Sequence, residues 1–142
     1  MTEVMNHLAL PRSRLRAGSL LFLSASFVAA GVNHFLDPDV YLAIMPPYLP
    51  AHTLLVALSG ALEVAGGVGL IIPRLRRRAG WMVSLLLLAV FPANVHMAVN
   101  AEEFATIPSW ALWVRLPLQF VLIVWVVWST HAEAGASPAE RR

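Results

Sequence analysis

The residues of this chain that could do chemistry are a few polar side chains set within long apolar stretches. Histidine and glutamate can exchange protons, arginine can bind an anion, and amides can donate and accept hydrogen bonds. Ionisable residues inside a membrane span are costly, so they usually face the interior of a helix bundle and mark candidate functional sites. The candidate ligand-binding set consists of His34, Glu63, Asn94, His96, Arg115 and Gln119.

Four of these residues also have a structural interpretation as contacts between helices. Glu63 and Arg115 are the only opposite charges within the apolar stretches, and we predict that they are coupled, directly or through Gln119. Such a pair could bind a ligand or a proton, or it could only hold two helices together. For Gln119 and Asn94, interhelical hydrogen bonding is the favoured role.

His34 and His96 are predicted to lie near each other at the outer mouth of the bundle. Neutral imidazole is a common metal ligand, so the two rings could share a metal, a haem or an acidic ligand headgroup. The structural alternative is that both rings bond loop carbonyls or water. Asn94 lies two residues before His96, about 200° around a helix, so both face one narrow pocket only if Pro92 distorts that helix.

Four apolar stretches must position these residues. Hydrophobic residues make up 58% of the chain and charged residues 13%, which lies outside the range of soluble globular domains. Each stretch has the roughly 20 residues that a helix needs to cross the hydrocarbon core of a bilayer. We therefore predict an all-α integral membrane four-helix bundle with spans over residues 17–36, 52–72, 79–99 and 109–129.

The depth of the polar residues along these spans predicts a pocket. With a rise of about 1.5 Å per residue, all six candidates lie between the outer boundary and the midplane. The inner halves of the spans contain no ionisable residue. This asymmetry favours a polar pocket that opens outward and is closed on the inner side by packed aliphatic side chains.

The arginines predict the orientation. Nine of the ten arginines lie before the first span, in the connection between the second and third, or at the end of the chain, whereas the other two connections carry only acidic charges. Basic short loops stay in the cytoplasm. We therefore predict a bacterial inner-membrane protein with a cytoplasmic segment 1–16, a membrane domain 17–129 and a mobile cytoplasmic tail 130–142. Alternatively, the first stretch is a secretory signal with small residues near Ala29 and Ala30, which would leave three spans.

An internal repeat is visible at an offset of 62 residues. This offset aligns two arginine-rich segments, then His34 with His96, and finally Pro46 with Pro108. Two basic segments before apolar helices resemble each other through the positive-inside rule alone. The ungapped agreement as far as the histidines and prolines favours a true repeat, with two parallel two-helix copies related by an axis along the membrane normal.

Several function classes are excluded by what the sequence lacks. Without cysteine, the chain cannot carry out dithiol exchange or form a thiolate metal site. It has no phosphate-binding glycine loop and no HExxH motif. The pI near 9.9 reflects topology and attraction to anionic lipid head groups, not binding to nucleic acid. Any redox role therefore needs a bound cofactor or a protein partner.

Several segments together resemble the DoxX family of small four-helix membrane proteins, which includes the MauE-type members. The resemblance covers about residues 17–128 and rests on NHF at 33–35, IMPPYLP at 44–50, SG at 59–60 with Glu63 and GGVG at 66–69, FPANVHM at 91–97, and RLPLQ at 115–119. Members of that family are associated with thiosulfate or quinone oxidation, methylamine utilisation or oxidative-stress complexes. The resemblance implies a redox-associated membrane subunit and supplies no catalytic positions.

Two functional hypotheses follow for the predicted pocket. In the first, a redox-associated subunit, not itself an autonomous enzyme, binds a quinone-like or other small ligand there and works with a protein partner in a membrane redox complex. In the second, a non-catalytic carrier or assembly protein uses the buried polar cluster only to fix helix packing. An open pocket with unpaired polar groups favours the first hypothesis, and a sealed, fully paired interior favours the second.

Overall fold

The computed structural model describes residues 10–11 and 13–131, and every regular element in this part of the chain is helical. In chain order the elements are α1 (Arg14–Leu36), α2 (Pro38–Ala43), α3 (His52–Ile71), α4 (Arg76–Val99), a 3-10 helix (Ala101–Phe104) and α5 (Ser109–Thr130). The four longest helices are long and apolar enough to cross a membrane. The predicted all-α four-helix fold is confirmed. The predicted tail from residue 132 onward, and the predicted N-terminal segment up to residue 9, lie outside the described residues.

The bundle has two chemically different ends. At one end, α1 and α4 begin and α3 and α5 end. We call it the arginine end, because Arg14, Arg16 and four arginines between residues 74 and 78 lie there. At the opposite end, the α2 end, α2 connects α1 to α3 and the 3-10 helix connects α4 to α5. Local signals set these boundaries: the Ser13 side chain accepts a hydrogen bond from the backbone N–H of Arg16, and Pro38 occupies the first turn of α2.

Glycines let α3 approach both of its neighbours closely. A Cβ atom added to Gly31 of α1 would lie 2.6 Å from the carbonyl oxygen of Gly60 in α3. On another side of α3, a Cβ atom added to Gly69 would lie 2.7 Å from the Cβ of Ala79 in α4. Small residues permit such contacts, which stabilise helix pairs in membranes through close van der Waals packing. α3 therefore packs closely against both α1 and α4.

An apolar core closes the arginine end of the bundle. It contains buried side chains from all four long helices: Leu20, Leu23, Phe27, Leu70, Ala79, Val83 and Val126. Phe22 of α1 stacks on Trp125 of α5 with ring centroids 5.7 Å apart. This half of the bundle thus contains the packed aliphatic side chains that the sequence predicts for the inner halves of the spans.

The helix boundaries follow the offset of the predicted repeat. α4 begins at Arg76, 62 residues after α1 begins at Arg14. The short helices also follow this offset: α2 comes after α1, and the 3-10 helix comes after α4. The offset aligns α2 with residues 100–105, which include the 3-10 helix at residues 101–104. The agreement ends at the next helix, since α5 begins five residues earlier than the offset would place it.

Candidate functional site

A cavity of about 330 Å³ opens among the four long helices toward the α2 end. Its volume lies near the lower limit of small-molecule sites, which are about 300–1,000 Å³. Its polar lining residues are His34, Tyr41, Ser59, Glu63, Asn94, Arg115 and Gln119. Its apolar lining residues are Ile44, Met45, Val56, Leu87, Val90, Ala93, Leu118 and Leu122. Five of the six candidate residues predicted from sequence thus line one cavity, and the exception is His96.

The imidazole of His34 is fixed by contacts on three sides. Its Nδ1 lies 2.9 Å from the carbonyl oxygen of Val56, and since a carbonyl only accepts, Nδ1 donates that bond. The Ser59 hydroxyl lies 3.2 Å from the same nitrogen and donates to the same carbonyl at 3.0 Å. The Tyr41 ring stacks on the imidazole with centroids 3.6 Å apart. The ring therefore has one defined orientation, with Nε2 as its remaining functional nitrogen.

Glu63 presents a buried carboxyl oxygen that is not satisfied by the protein. Its Oε2 lies 3.7 Å from Nε2 of His34, a distance too long for a hydrogen bond, and the two side chains are only 15% and 7% exposed. Within residues 10–11 and 13–131, this oxygen has no hydrogen-bond partner. Buried polar atoms are nearly always hydrogen-bonded in native proteins. The acid–base cluster of His34, Ser59 and Glu63 therefore has unused hydrogen-bonding capacity at a residue that lines the cavity.

Asn94 and Gln119 form a second polar cluster in which the polar groups bond one another. The Asn94 side-chain amide donates to Oε1 of Gln119 at 2.6 Å. Nε2 of Gln119 in turn donates to the backbone carbonyl of Leu87. This amide cluster joins α4 to α5, which is the interhelical hydrogen bonding predicted for both residues.

Arg115 lines the cavity but does not form the predicted ion pair. The ionisable group beside the Glu63 carboxyl is the imidazole of His34, and Arg115 forms no hydrogen bond or ion pair with the described part of the chain. Gln119 does not link the two charges either, because its amide is occupied by Asn94 and Leu87. The expected coupling of Glu63 with Arg115 is thus absent from the contacts of the structure. Arg115 is instead an exposed cation at the cavity wall.

His96 is placed away from this cavity. Nδ1 of its ring lies 3.0 Å from the side-chain amide nitrogen of Asn100, which donates to it, and the ring packs edge-on against Phe104 at 6.4 Å. Asn94 lines the cavity, so the two side chains diverge as expected for residues about 200° apart on a helix, and Pro92 does not bring them together. Within the described residues, no three histidine, aspartate or glutamate side chains meet as metal ligands.

Tyr41 and Ser59 also line the site, and they are not among the six candidates predicted from the sequence. Ser59 precedes Glu63 by four residues and so shares its helical face, a signal that was available in the sequence. Tyr41 reaches His34 only because α2 folds back over the end of α1. Its hydroxyl accepts a hydrogen bond from the Asn33 side chain at 3.1 Å.

A known protein family matches most of this chain, and the description of that family states no activity. A family model described as a domain of unknown function (DUF8561) matches residues 23–130, which include every cavity-lining residue. No curated protein and no solved structure matches the chain.

Proposed function

We propose the function from the cavity itself, since the chain belongs to the family described as a domain of unknown function (DUF8561), and that description states no activity. In this proposal the protein is a redox-associated membrane subunit that binds a quinone-like small molecule between its helices. It works with a protein partner and is not an autonomous enzyme. The resemblance to the DoxX family is part of the same proposal.

The observation that carries the proposal is the buried, unsatisfied carboxyl oxygen of Glu63, a residue that lines the cavity. Leaving a buried polar group unpaired costs about 1–3 kcal/mol. A protein that needed this cluster only for packing would gain by pairing the oxygen or replacing the glutamate. A ligand that supplies the missing partner removes the cost when it binds, which explains why the carboxyl group is placed there.

The other side chains that line the cavity favour a quinone-like ligand that is small enough for its volume of about 330 Å³. A quinone is a flat apolar ring with a carbonyl oxygen at each end. The aliphatic walls and the Tyr41 ring suit the flat ring. At one end, a protonated His34–Glu63 pair would donate to a carbonyl oxygen. At the other, Arg115 offers N–H donors to the second oxygen.

The location and partner are inferred from the sequence. Basic segments stay on the cytoplasmic side of membranes. We therefore place the arginine end and both termini on the cytoplasmic side of a bacterial inner membrane. The cavity then opens toward the outer face. A ligand that partitions into lipid can reach such a site from the bilayer. Because the chain has no cysteine, we assign the electron-transfer steps to a partner protein and the binding of the ligand to this chain.

A binding measurement tests the proposal. The protein is purified in mild detergent, extracted for co-purifying quinone, and titrated with a short-chain ubiquinone in equilibrium dialysis. We expect saturable binding by the unaltered chain, and binding weakened about 10- to 100-fold by Glu63→Leu, because hydrogen bonds to charged groups contribute about 1.5–3 kcal/mol. The matched control is Glu103→Gln, which alters an exposed acid on the 3-10 helix outside the cavity. Equal binding by wild type and Glu63→Leu contradicts the proposal.

A second candidate function is supported by the amide cluster and the glycine contacts. The bonds among Asn94, Gln119 and Leu87, and the close approach of α1 to α3, are the features expected of a carrier or assembly protein whose polar groups fix helix packing. Under this hypothesis no quinone binds, and replacing Glu63 alters only the stability of the bundle.

A further inference from the structure

A second cavity lies on the opposite half of the bundle, between the start of α1 and the end of α5. It has a volume of about 390 Å³ and is lined by Arg16, Ile123, Val124, Val127, Trp128 and His131. We call it the arginine groove. Its walls are apolar side chains of α5, and its polar groups come from Arg16 and His131 at the arginine end. The groove shares no lining residue with the cavity that contains Glu63.

Arg16 is held in a defined position beside this groove. Its Nη1 donates to the backbone carbonyl of His131 at 3.0 Å, and its guanidinium carbon lies 5.1 Å from the ring centroid of Trp128. The carbonyl bond uses one of the five N–H donors of the guanidinium. An arginine fixed in this way can offer a fork of N–H groups to a phosphate with little further loss of side-chain entropy.

The apolar part of the groove runs along the lipid-facing side of α5. Val124 is 67% exposed and Trp128 is 39% exposed, and these two residues share a helical face at a spacing of four. Tryptophan is enriched where the hydrocarbon core meets the headgroup region. The groove thus presents a cation at headgroup level and, below it, an apolar channel at the depth of acyl chains.

From this combination we propose that the arginine groove binds one anionic phospholipid, with its phosphate on Arg16 and an acyl chain against Val124 and Ile123. The charge is complementary, because five further arginines of the described chain lie at the same end of the bundle. Basic pockets between membrane helices on the cytoplasmic side are typical sites for anionic headgroups. The bound lipid stabilises the contact between α1 and α5, which the Phe22–Trp125 stack continues further along the two helices.

Native mass spectrometry and thermal unfolding in mixed micelles test this proposal. Wild type is mixed with phosphatidylglycerol or with zwitterionic phosphatidylcholine. We expect retention of one phosphatidylglycerol molecule and a higher melting temperature with that lipid only. Arg16→Gln should weaken retention about 10- to 100-fold, because it removes the charge-assisted hydrogen bonds between the guanidinium and the phosphate. Arg14→Gln is the matched control. Arg14 is exposed and lies two residues before Arg16, so this change removes the same charge outside the groove.

A second variant keeps the test valid if Arg16→Gln folds poorly. Val124→Trp fills the channel from an exposed position and leaves Arg16 in place, so we expect it to prevent phosphatidylglycerol retention as well. Equal stabilisation of wild type by both lipids overturns the proposal. Equal losses in Arg16→Gln and Arg14→Gln also overturn it, because they would show a general attraction of the basic end for anionic lipid and no site at the groove.

Discussion

The two polar clusters on the cavity wall differ in how completely they are hydrogen-bonded. In the amide cluster, Asn94 donates to Gln119, and Gln119 donates to a backbone carbonyl of the neighbouring helix. In the acid–base cluster, His34 and Ser59 are bonded to α3, while Oε2 of Glu63 has no partner among the described residues. Both clusters lie in similar apolar surroundings, so the difference comes from the arrangement of the groups.

This difference separates a structural role from a binding role. A paired cluster lowers the free energy of the folded bundle, and it has no spare group to offer a ligand. An unpaired carboxyl group raises the free energy of the empty protein and is useful only when another molecule supplies the partner. Replacing each cluster should therefore change stability in opposite directions.

The largest expected effect on stability is a gain from Glu63→Leu. This change removes a buried oxygen without a partner and adds apolar contacts, so we expect the unfolding free energy of the ligand-free protein to rise by about 1–3 kcal/mol. Unfolding by denaturant in mixed micelles measures it. The same variant should lose quinone binding, so that stability and binding change in opposite senses.

Glu103→Gln is the control for this prediction, because it removes an exposed acid on the 3-10 helix and should leave both measurements unchanged. A loss of stability in Glu63→Leu would contradict the binding role. It would mean that the carboxyl group has partners in the membrane that hold the bundle together, as the carrier or assembly hypothesis requires.

The amide cluster should show the opposite behaviour. Asn94→Leu and Gln119→Leu each leave the other amide without its partner, so both are expected to lower the unfolding free energy. The interaction energy from the double-mutant cycle should be about 0.6 kcal/mol and at most about 1.7 kcal/mol, the range measured for interhelical hydrogen bonds in a membrane protein. An interaction energy of zero would show that the two amides act independently.

The sequence is sufficient to predict the helices and most of the polar residues of the cavity. Membrane spans depend on length and hydropathy, which are local properties, and the α1 and α4 boundaries extend only three residues beyond the predicted spans because their first arginines are already helical. Depth along a helix is also local. It was therefore possible to place Glu63, Asn94 and Gln119 in the same half of the bundle.

The pairing of the polar groups could not be predicted in the same way. Glu63 was matched with Arg115 because they were the only opposite charges in the spans, but depth does not specify rotation about a helix axis or which helices are neighbours. In the structure, Gly60 lets α3 approach α1, and a Cβ added to it would lie 2.6 Å from the Cβ of His34. That approach brings Glu63 to His34. The repeat groups His96 with His34, but the ring of His96 bonds Asn100 next to its own helix, whereas the ring of His34 bonds the Val56 carbonyl of α3.

Ser129 offers a further test of the comparison, because its hydroxyl oxygen is also buried without a partner among residues 10–11 and 13–131, and the residue lies outside the cavity. The residue is 1% exposed near the end of α5. We expect Ser129→Ala to raise the unfolding free energy by up to about 1 kcal/mol, because an unpaired hydroxyl is removed at little cost in packing. Quinone binding should be unchanged. Weaker binding in this variant would show that the affinity depends on the whole bundle and not on the acid–base cluster.

The smallest expected effect is the coupling between Glu63 and Arg115. Both residues line the cavity, but Glu63 faces His34, and Arg115 is exposed without an ion pair to the described chain. Residues that share no partner usually contribute additively to stability within about 0.3–0.5 kcal/mol. We therefore expect the stability changes of Glu63→Gln and Arg115→Gln to sum to that of the double variant in the ligand-free protein.

With a quinone bound between them, each residue is expected to contact one end of the same molecule, so an interaction energy should appear in the binding measurement only. A large interaction energy without ligand would instead show a direct ion pair between the two residues. Arg115 would then be the missing partner of the Glu63 oxygen.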